Sequence, residues 1–252
     1  MTHVGLNLDS VDASRGLDKV FGEIKRLGFS FAEASAKIET GAATLSAVAD
    51  TAARHGVAVR SVVLAEFAAL PKLPAPERHE TVAGLGGLIE TCAAAGYGPI
   101  LIPARVVEDE YDRFRVYSEA LDELAPIADA SGTSLAVEFV GGADPYEVAR
   151  LVEQSAHDNV GLYFDIGNCL YAGVDPVAAL SDLLGLVRQI HLKGGPVTPF
   201  AAMPLRRVRE MLEERDYSGL CALEIEPACA FEVLRDAAGT LWMNDFQKAD
   251  PR

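Results

Sequence analysis

Four cysteines, one tryptophan and 22 basic residues are what this 252-residue chain has little of. None of Cys92, Cys169, Cys221 and Cys229 stands in a C-x-x-C pair. The pattern reads as reduced thiols in a cytoplasmic protein rather than a disulfide framework. The basic residues face 37 acidic ones, for a net charge of −15. That argues against a nucleic-acid partner, because phosphate binding needs a basic surface. A small anionic substrate stays open, since a few local cations can outweigh the global sign. No apolar run approaches the ~20 residues of a membrane span, so no membrane partner is expected. The chain enters a strand-like segment almost at once, and no signal peptide is read.

What is present is a strict alternation. Apolar runs expected as strands lie at Val4–Leu8, Phe29–Ala34, Val57–Leu64, Pro99–Pro103, Ser134–Val140, Val160–Phe164, Val187–Lys193 and Leu220–Glu226. Between them lie helical patterns at Ser14–Leu27, Thr44–His55, Pro76–Ala95 and Tyr111–Ala130. Asp144-Pro145 and Asp175-Pro176 each pair an N-cap with a first-turn proline, opening helices that reach about Ser155 and Leu184. Leu205–Arg215 is a further helix. Phe231–Ala238 reads as a short last one, with an irregular tail after Gly239. Residues 65–76, with three prolines, read as the longest irregular connection. Eight β-then-α units, with a period of roughly 31 residues, imply a parallel sheet closed as a (β/α)8 TIM barrel in one domain spanning 1–252. The competitor is a doubly wound open sheet, which usually has fewer strands. No G-x-G-x-x-G follows the first strand to support it.

Polar residues interrupt the late strands at regular places. Glu138 stands in L-A-V-E-F, Asp165 in Y-F-D-I-G-N, His191 in Q-I-H-L-K and Glu224 in C-A-L-E-I-E-P. The intervals are 27, 26 and 33 residues, close to one βα unit each. A barrel places all four at one rim, on neighbouring strands. Any one alone has an ordinary reading: Asp165 as a helix cap, His191 as a hydrogen-bonded core histidine. As a set, each inside an otherwise apolar strand where an unpaired charge is costly, they form a metal site. Three carboxylates with one imidazole favour one Mn²⁺, with Mg²⁺ or Co²⁺ as alternatives. Such an ion polarises a substrate carbonyl and stabilises a developing enediolate. Glu226 shares a face with Glu224 and is the alternative ligand. Lys193 holds either a substrate oxygen or phosphate, or pairs with a nearby carboxylate. Asn168, Lys193, Asn7 and Glu33, at or near strand ends, are the candidate substrate-binding residues.

These segments together resemble the sugar phosphate isomerase/epimerase family with the xylose-isomerase-like barrel. The group includes ketose 3-epimerases, inosose dehydratases and endonuclease IV-type enzymes. The likeness spans the chain and is clearest from Leu135 to Pro227, in L-A-V-E-F, F-D-I-G-N-C-L-Y-A-G-V-D-P, V-R-Q-I-H-L-K and Y-S-G-L-C-A-L-E. It implies that Glu138, Asp165, His191 and Glu224 bind a divalent metal, and that Glu138 and Glu224 are also the acid–base pair. Glu138 would take a proton beside the carbonyl, and Glu224 would return it on the opposite face or to the neighbouring carbon. The expected activity is metal-dependent epimerisation or isomerisation of a keto sugar, sugar phosphate or related polyol ketone. The alternatives are a lyase or dehydratase using the same intermediate, and a non-catalytic barrel subunit. The expected partner is a small carbohydrate, and a homo-oligomer is compatible with the sequence.

Overall fold

A computed structural model describes residues 3–105, 111–194, 198–225 and 229–246. Eight parallel strands close on themselves in chain order. They are β1 His3–Asn7, β2 Phe31–Ala36, β3 Ala58–Leu64, β4 Ile100–Ala104, β5 Leu135–Phe139, β6 Val160–Asp165, β7 Val187–Lys193 and β8 Leu220–Glu224. β4, β5 and β6 are buried along their whole length, as strands covered on both faces must be. Around them run α1 Leu17–Leu27, α2 Gly41–Arg54, α3 Ala75–Ala94, α4 Tyr111–Ala130, α5 Pro145–Gln154, α6 Ile166–Tyr171, α7 Pro176–Leu183, α8 Leu205–Glu214 and α9 Phe231–Met243. The main core lies between this outer layer and the barrel wall. Among the described residues no helix is long and apolar enough to cross a membrane.

The two aspartate–proline signals open α5 and α7 as read. The Asp144 carboxylate accepts from the Tyr146 amide at 2.8 Å, and Asp175 accepts from Val177 at 2.9 Å. Four local expectations change. Residues 65–76 are not irregular: Ala65–Lys72 winds as a 3₁₀ helix. The proposed helix from Ser14 divides into a 3₁₀ turn at Ala13–Arg15 and α1, because Gly16 between them takes a positive φ of 85°. After Asp165, where the helical patterns above include no element before Asp175, the chain winds as α6. The last helix runs through Gly239 to Met243, where apolar Leu241 is fully buried and draws the helix onward.

β2 begins two residues later than its apolar run. Gly28 adopts a left-handed C-cap, and the Phe29 amide still bonds back to the Ile24 carbonyl. Glu33 therefore sits in mid-strand rather than near the rim. Two register shifts work with this. Ala32 pairs with Val59 but Glu33 with Ser61, leaving Arg60 as an extra residue on β3. Leu162 pairs with Val187 but Tyr163 with Gln189, leaving Arg188 extra on β7. Each bulge turns an exposed arginine outward and brings the next residue, Ser61 or Gln189, into the barrel opposite its partner.

The first and last strands pair at the seam between β1 and β8. Phe29 and Trp242 lie with ring centroids 5.6 Å apart. Arg235 of α9 donates to Glu23 of α1 at 2.8 Å.

Candidate metal centre

Each candidate ligand is placed by the carboxyl end of its strand. Register sets Asp165 opposite His191, and Lys193 opposite Glu224. Glu138 follows on β5, next to β6. One ligand atom from each of Glu138, Asp165, His191 and Glu224 lies within 4.8 Å of all the others. Asp165 and His191 are almost completely buried, and Glu138 nearly so. Glu226 lies outside the described residues.

His191 Nδ1 faces three carboxylates at once: Glu224 Oε2 at 3.0 Å, Glu138 Oε1 at 3.3 Å and Asp165 Oδ2 at 3.9 Å. One ring nitrogen has one proton or one lone pair and cannot satisfy all three. Asp165 divides its carboxylate. Oδ1 accepts from the amides of Gly167 at 2.7 Å and Asn168 at 2.9 Å, capping α6. Oδ2 is buried and has no hydrogen-bond partner. Thus the cap reading and the ligand reading of Asp165 apply to different oxygens. A buried anionic oxygen without a donor, among oxygens converging on one nitrogen, is the arrangement a divalent cation completes. The donor set of three carboxylates and one imidazole fits such an ion.

The electrostatics are uneven. Burial pushes the Glu138 carboxyl up to about 8, with the Asp165 and Glu224 charges adding to it and His191 opposing. For Glu224, burial acts in the same direction, but the His191 and Lys193 cations prevail and draw it down to about 2. Lys193 reaches Glu224 Oε1 at 2.8 Å and Asp165 Oδ2 at 3.6 Å, so the structure shows its charge-paired state. Despite burial, Glu33 and Glu224 hold His191 protonated well above its usual range.

The four expected substrate ligands occupy different depths. Asn168, half-buried, donates from Nδ2 to the Phe139 carbonyl at 3.0 Å and to Glu138 Oε1 at 3.3 Å. Lys193 is half-buried at the cluster. Asn7 and Glu33 lie below it. Glu33 is fully buried, and Asn7 donates to its Oε1 at 2.8 Å. Glu33 Oε1 also meets His191 Nε2 at 2.6 Å. Its Oε2 accepts from Ser61 at 2.7 Å, Tyr163 at 2.6 Å and Gln189 at 3.1 Å. This polar plug inside the barrel was not read from the sequence. Its signal was there in hindsight: Ser, Tyr and Gln each stand in an apolar strand. The bulges that bring them inward leave no sequence mark.

A model described as the xylose isomerase-like TIM barrel matches residues 21–244. No curated protein matches the chain. Among solved structures, the apo 3-keto-D-glucoside 4-epimerase of E. coli aligns with a TM-score of 0.80 at 15% identity, covering 96% of this chain and 100% of that one. D-Psicose 3-epimerase with D-tagatose, from Clostridium cellulolyticum H10, aligns at 0.74 and 14% identity, covering 97% and 98%. A xylose isomerase-like TIM barrel protein from Mycobacterium smegmatis, in complex with magnesium, aligns at 0.71 and 13% identity, covering 97% and 96%. At these identities the likeness is one of fold.

Proposed function

Since the chain belongs to the xylose isomerase-like TIM barrel family, we propose that it is a divalent-metal-dependent epimerase or isomerase of a keto sugar, sugar phosphate or related polyol ketone. One observation carries this reading. Four ligand-type side chains from four neighbouring strands converge at the carboxyl rim, and one of their oxygens, Asp165 Oδ2, is buried without a donor. Sugar epimerases share the fold, which supports a carbohydrate substrate.

Glu138, Asp165, His191 and Glu224 would hold the ion, with Mn²⁺, Mg²⁺ or Co²⁺ suited to so oxygen-rich a set. When bound, it supplies a Lewis acid that polarises the substrate carbonyl. The proton transfers belong to the chain. Epimerisation needs one carboxylate ready to accept a proton and one carboxylic acid ready to give one, on opposite faces of the carbon beside the carbonyl. The Glu138–Glu224 pair is the candidate for these roles, and the two carboxyls stand in unlike surroundings: without the ion, burial favours the protonated form of Glu138, and the adjoining cations favour the ionised form of Glu224. Their roles exchange with the direction of reaction. Lys193 holds Glu224 in place, and the Asn168 amide holds Glu138. Arg105, exposed at the end of β4, is available to an anionic substituent.

The test is NMR of keto sugars and their phosphates in D₂O with the Mn²⁺-loaded protein. Deuterium should enter beside the carbonyl while the carbon skeleton and hydroxyl count stay the same. Loss of water would instead establish a lyase. No turnover of any candidate, together with no effect of chelators on thermal stability, would overturn the enzyme reading.

A further inference from the structure

Glu33 has a position that neither proton transfer nor direct metal ligation uses. It is fully buried a layer below the four candidate ligands. Five side chains point polar hydrogens at its two oxygens: Asn7, His191, Ser61, Tyr163 and Gln189. Four of those partners are themselves fixed. The Asn7 side-chain oxygen Oδ1 accepts from the Asp9 amide at 2.8 Å, so its NH₂ group must face Glu33. Gln189 Nε2 shares its two hydrogens among Glu33, Ser61 at 3.0 Å and the Tyr163 hydroxyl. Both hydroxyls therefore accept from Gln189 and have their protons free for Glu33.

From this saturation we infer that Glu33 is the positioning residue of the candidate metal centre, fixing the His191 ring so that Nδ1 meets the cation. The inference rests on the metal-site reading above. A carboxylate surrounded by donors can only accept. The nitrogen facing it, His191 Nε2, must therefore be the one that carries hydrogen. Once a cation displaces the second proton, the neutral ring has its lone pair on Nδ1, the nitrogen aimed at Glu138, Asp165 and Glu224. A partner behind a ligating imidazole sets which nitrogen binds and raises its donor strength. Here the partner is in turn held from β1, β3, β6 and β7, so four strands contribute to one ring's orientation.

Glu33→Gln tests the idea because it keeps the shape and removes the acceptor symmetry. Its oxygen can still face His191 when Gln189 turns its own amide, whose Oε1 has no hydrogen-bond partner, and what this orientation removes is the negative charge behind the ring. Turned the other way, it offers His191 a donor and favours the tautomer with no lone pair on Nδ1. Co²⁺ titration followed by visible absorption should show affinity weakened about 10- to 100-fold. Tyr163→Phe removes one donor from Glu33 and leaves the His191 contact. It should lower the melting temperature while Co²⁺ affinity stays near that of the unmodified protein. Equal losses of affinity in the two variants would mean a general structural role and overturn the proposal. A second measurement needs no variant. In the Co²⁺-loaded unmodified protein, coordination through Nδ1 leaves the His191 Hδ2 proton sharp while Hε1, next to the metal-bound nitrogen, broadens. Equal broadening of both protons would place the metal on Nε2 and overturn the proposal, while leaving the metal-site reading standing. If the unmodified protein binds no Co²⁺, both fail.

Discussion

Asp165 does two jobs with two oxygens, and substitutions can separate them. Asn keeps a capping oxygen but not a ligating charge. Asp165→Asn should therefore melt close to the unmodified protein and bind Mn²⁺ more weakly. Asp165→Ala should lose the α6 cap as well, costing about 1 kcal/mol more in denaturant unfolding. A second residue-scale expectation concerns pH. In the metal-free protein, Glu138 keeps its proton up to about pH 8, and a ligating carboxylate must release it. Cation binding below that pH is therefore coupled to proton loss. Affinity should rise about tenfold per pH unit for each proton released, and the rise should become shallower but persist once Glu138 titrates, because His191 still holds its second proton. Mn²⁺ titrations followed by EPR at several pH values between 6 and 9 would check this; a flat profile would contradict it. Glu138→Gln and Glu224→Gln should each abolish turnover with the melting transition intact. Near-normal turnover in either would sink the two-glutamate mechanism. The four ligand candidates were legible one by one because each is a charge inside an apolar strand, at the spacing of one βα unit. Glu33 was legible as a buried-strand carboxylate, but not in its depth. That depends on where Gly28 releases the chain into β2, and on partners 26 to 158 residues away.

At the level of elements, the eight strands could be read because fully buried parallel strands are nearly unbroken apolar runs. α5 and α7 could be read because their caps are local. What escaped the reading depends on tertiary context. α6 is only six residues long, too short for a period to show, and is held by the carboxylate of Asp165. The 3₁₀ helix at Ala65–Lys72 contains Pro71, which reads as a breaker, yet packs Phe67 and Leu70 fully into the core. The bulges at Arg60 and Arg188 are matters of pairing, which no single strand encodes. Gly239 is the clearest case. It reads as a stop, but it lies inside α9, with open space where a Cβ would be. Gly239→Ala should accordingly stabilise the protein by about 0.5–1 kcal/mol, a rise of a few degrees in melting temperature. A fall would mean that the helix does not continue there.

For the whole molecule, ligand binding and global stability should be linked. The candidate ligands come from β5, β6, β7 and β8, so a cation bridging them binds only the closed barrel. At a hundredfold excess over its dissociation constant, it should add about 2.7 kcal/mol. Thermal scans with and without EDTA would show the shift, and its absence would argue against a site formed by folding. Closure itself has a convenient reporter. The only tryptophan in the sequence sits on the final helix, against a phenylalanine that follows the first one. Its emission therefore reads whether α9 has packed against Phe29, with no competing indole elsewhere. Stopped-flow fluorescence on the unlabelled protein would time the docking of α9 beside Phe29, while the spectrum of added Co²⁺ would time the gathering of β5 to β8. The order in which this ring of strands is assembled could thus be followed from one native fluorophore and one added ion.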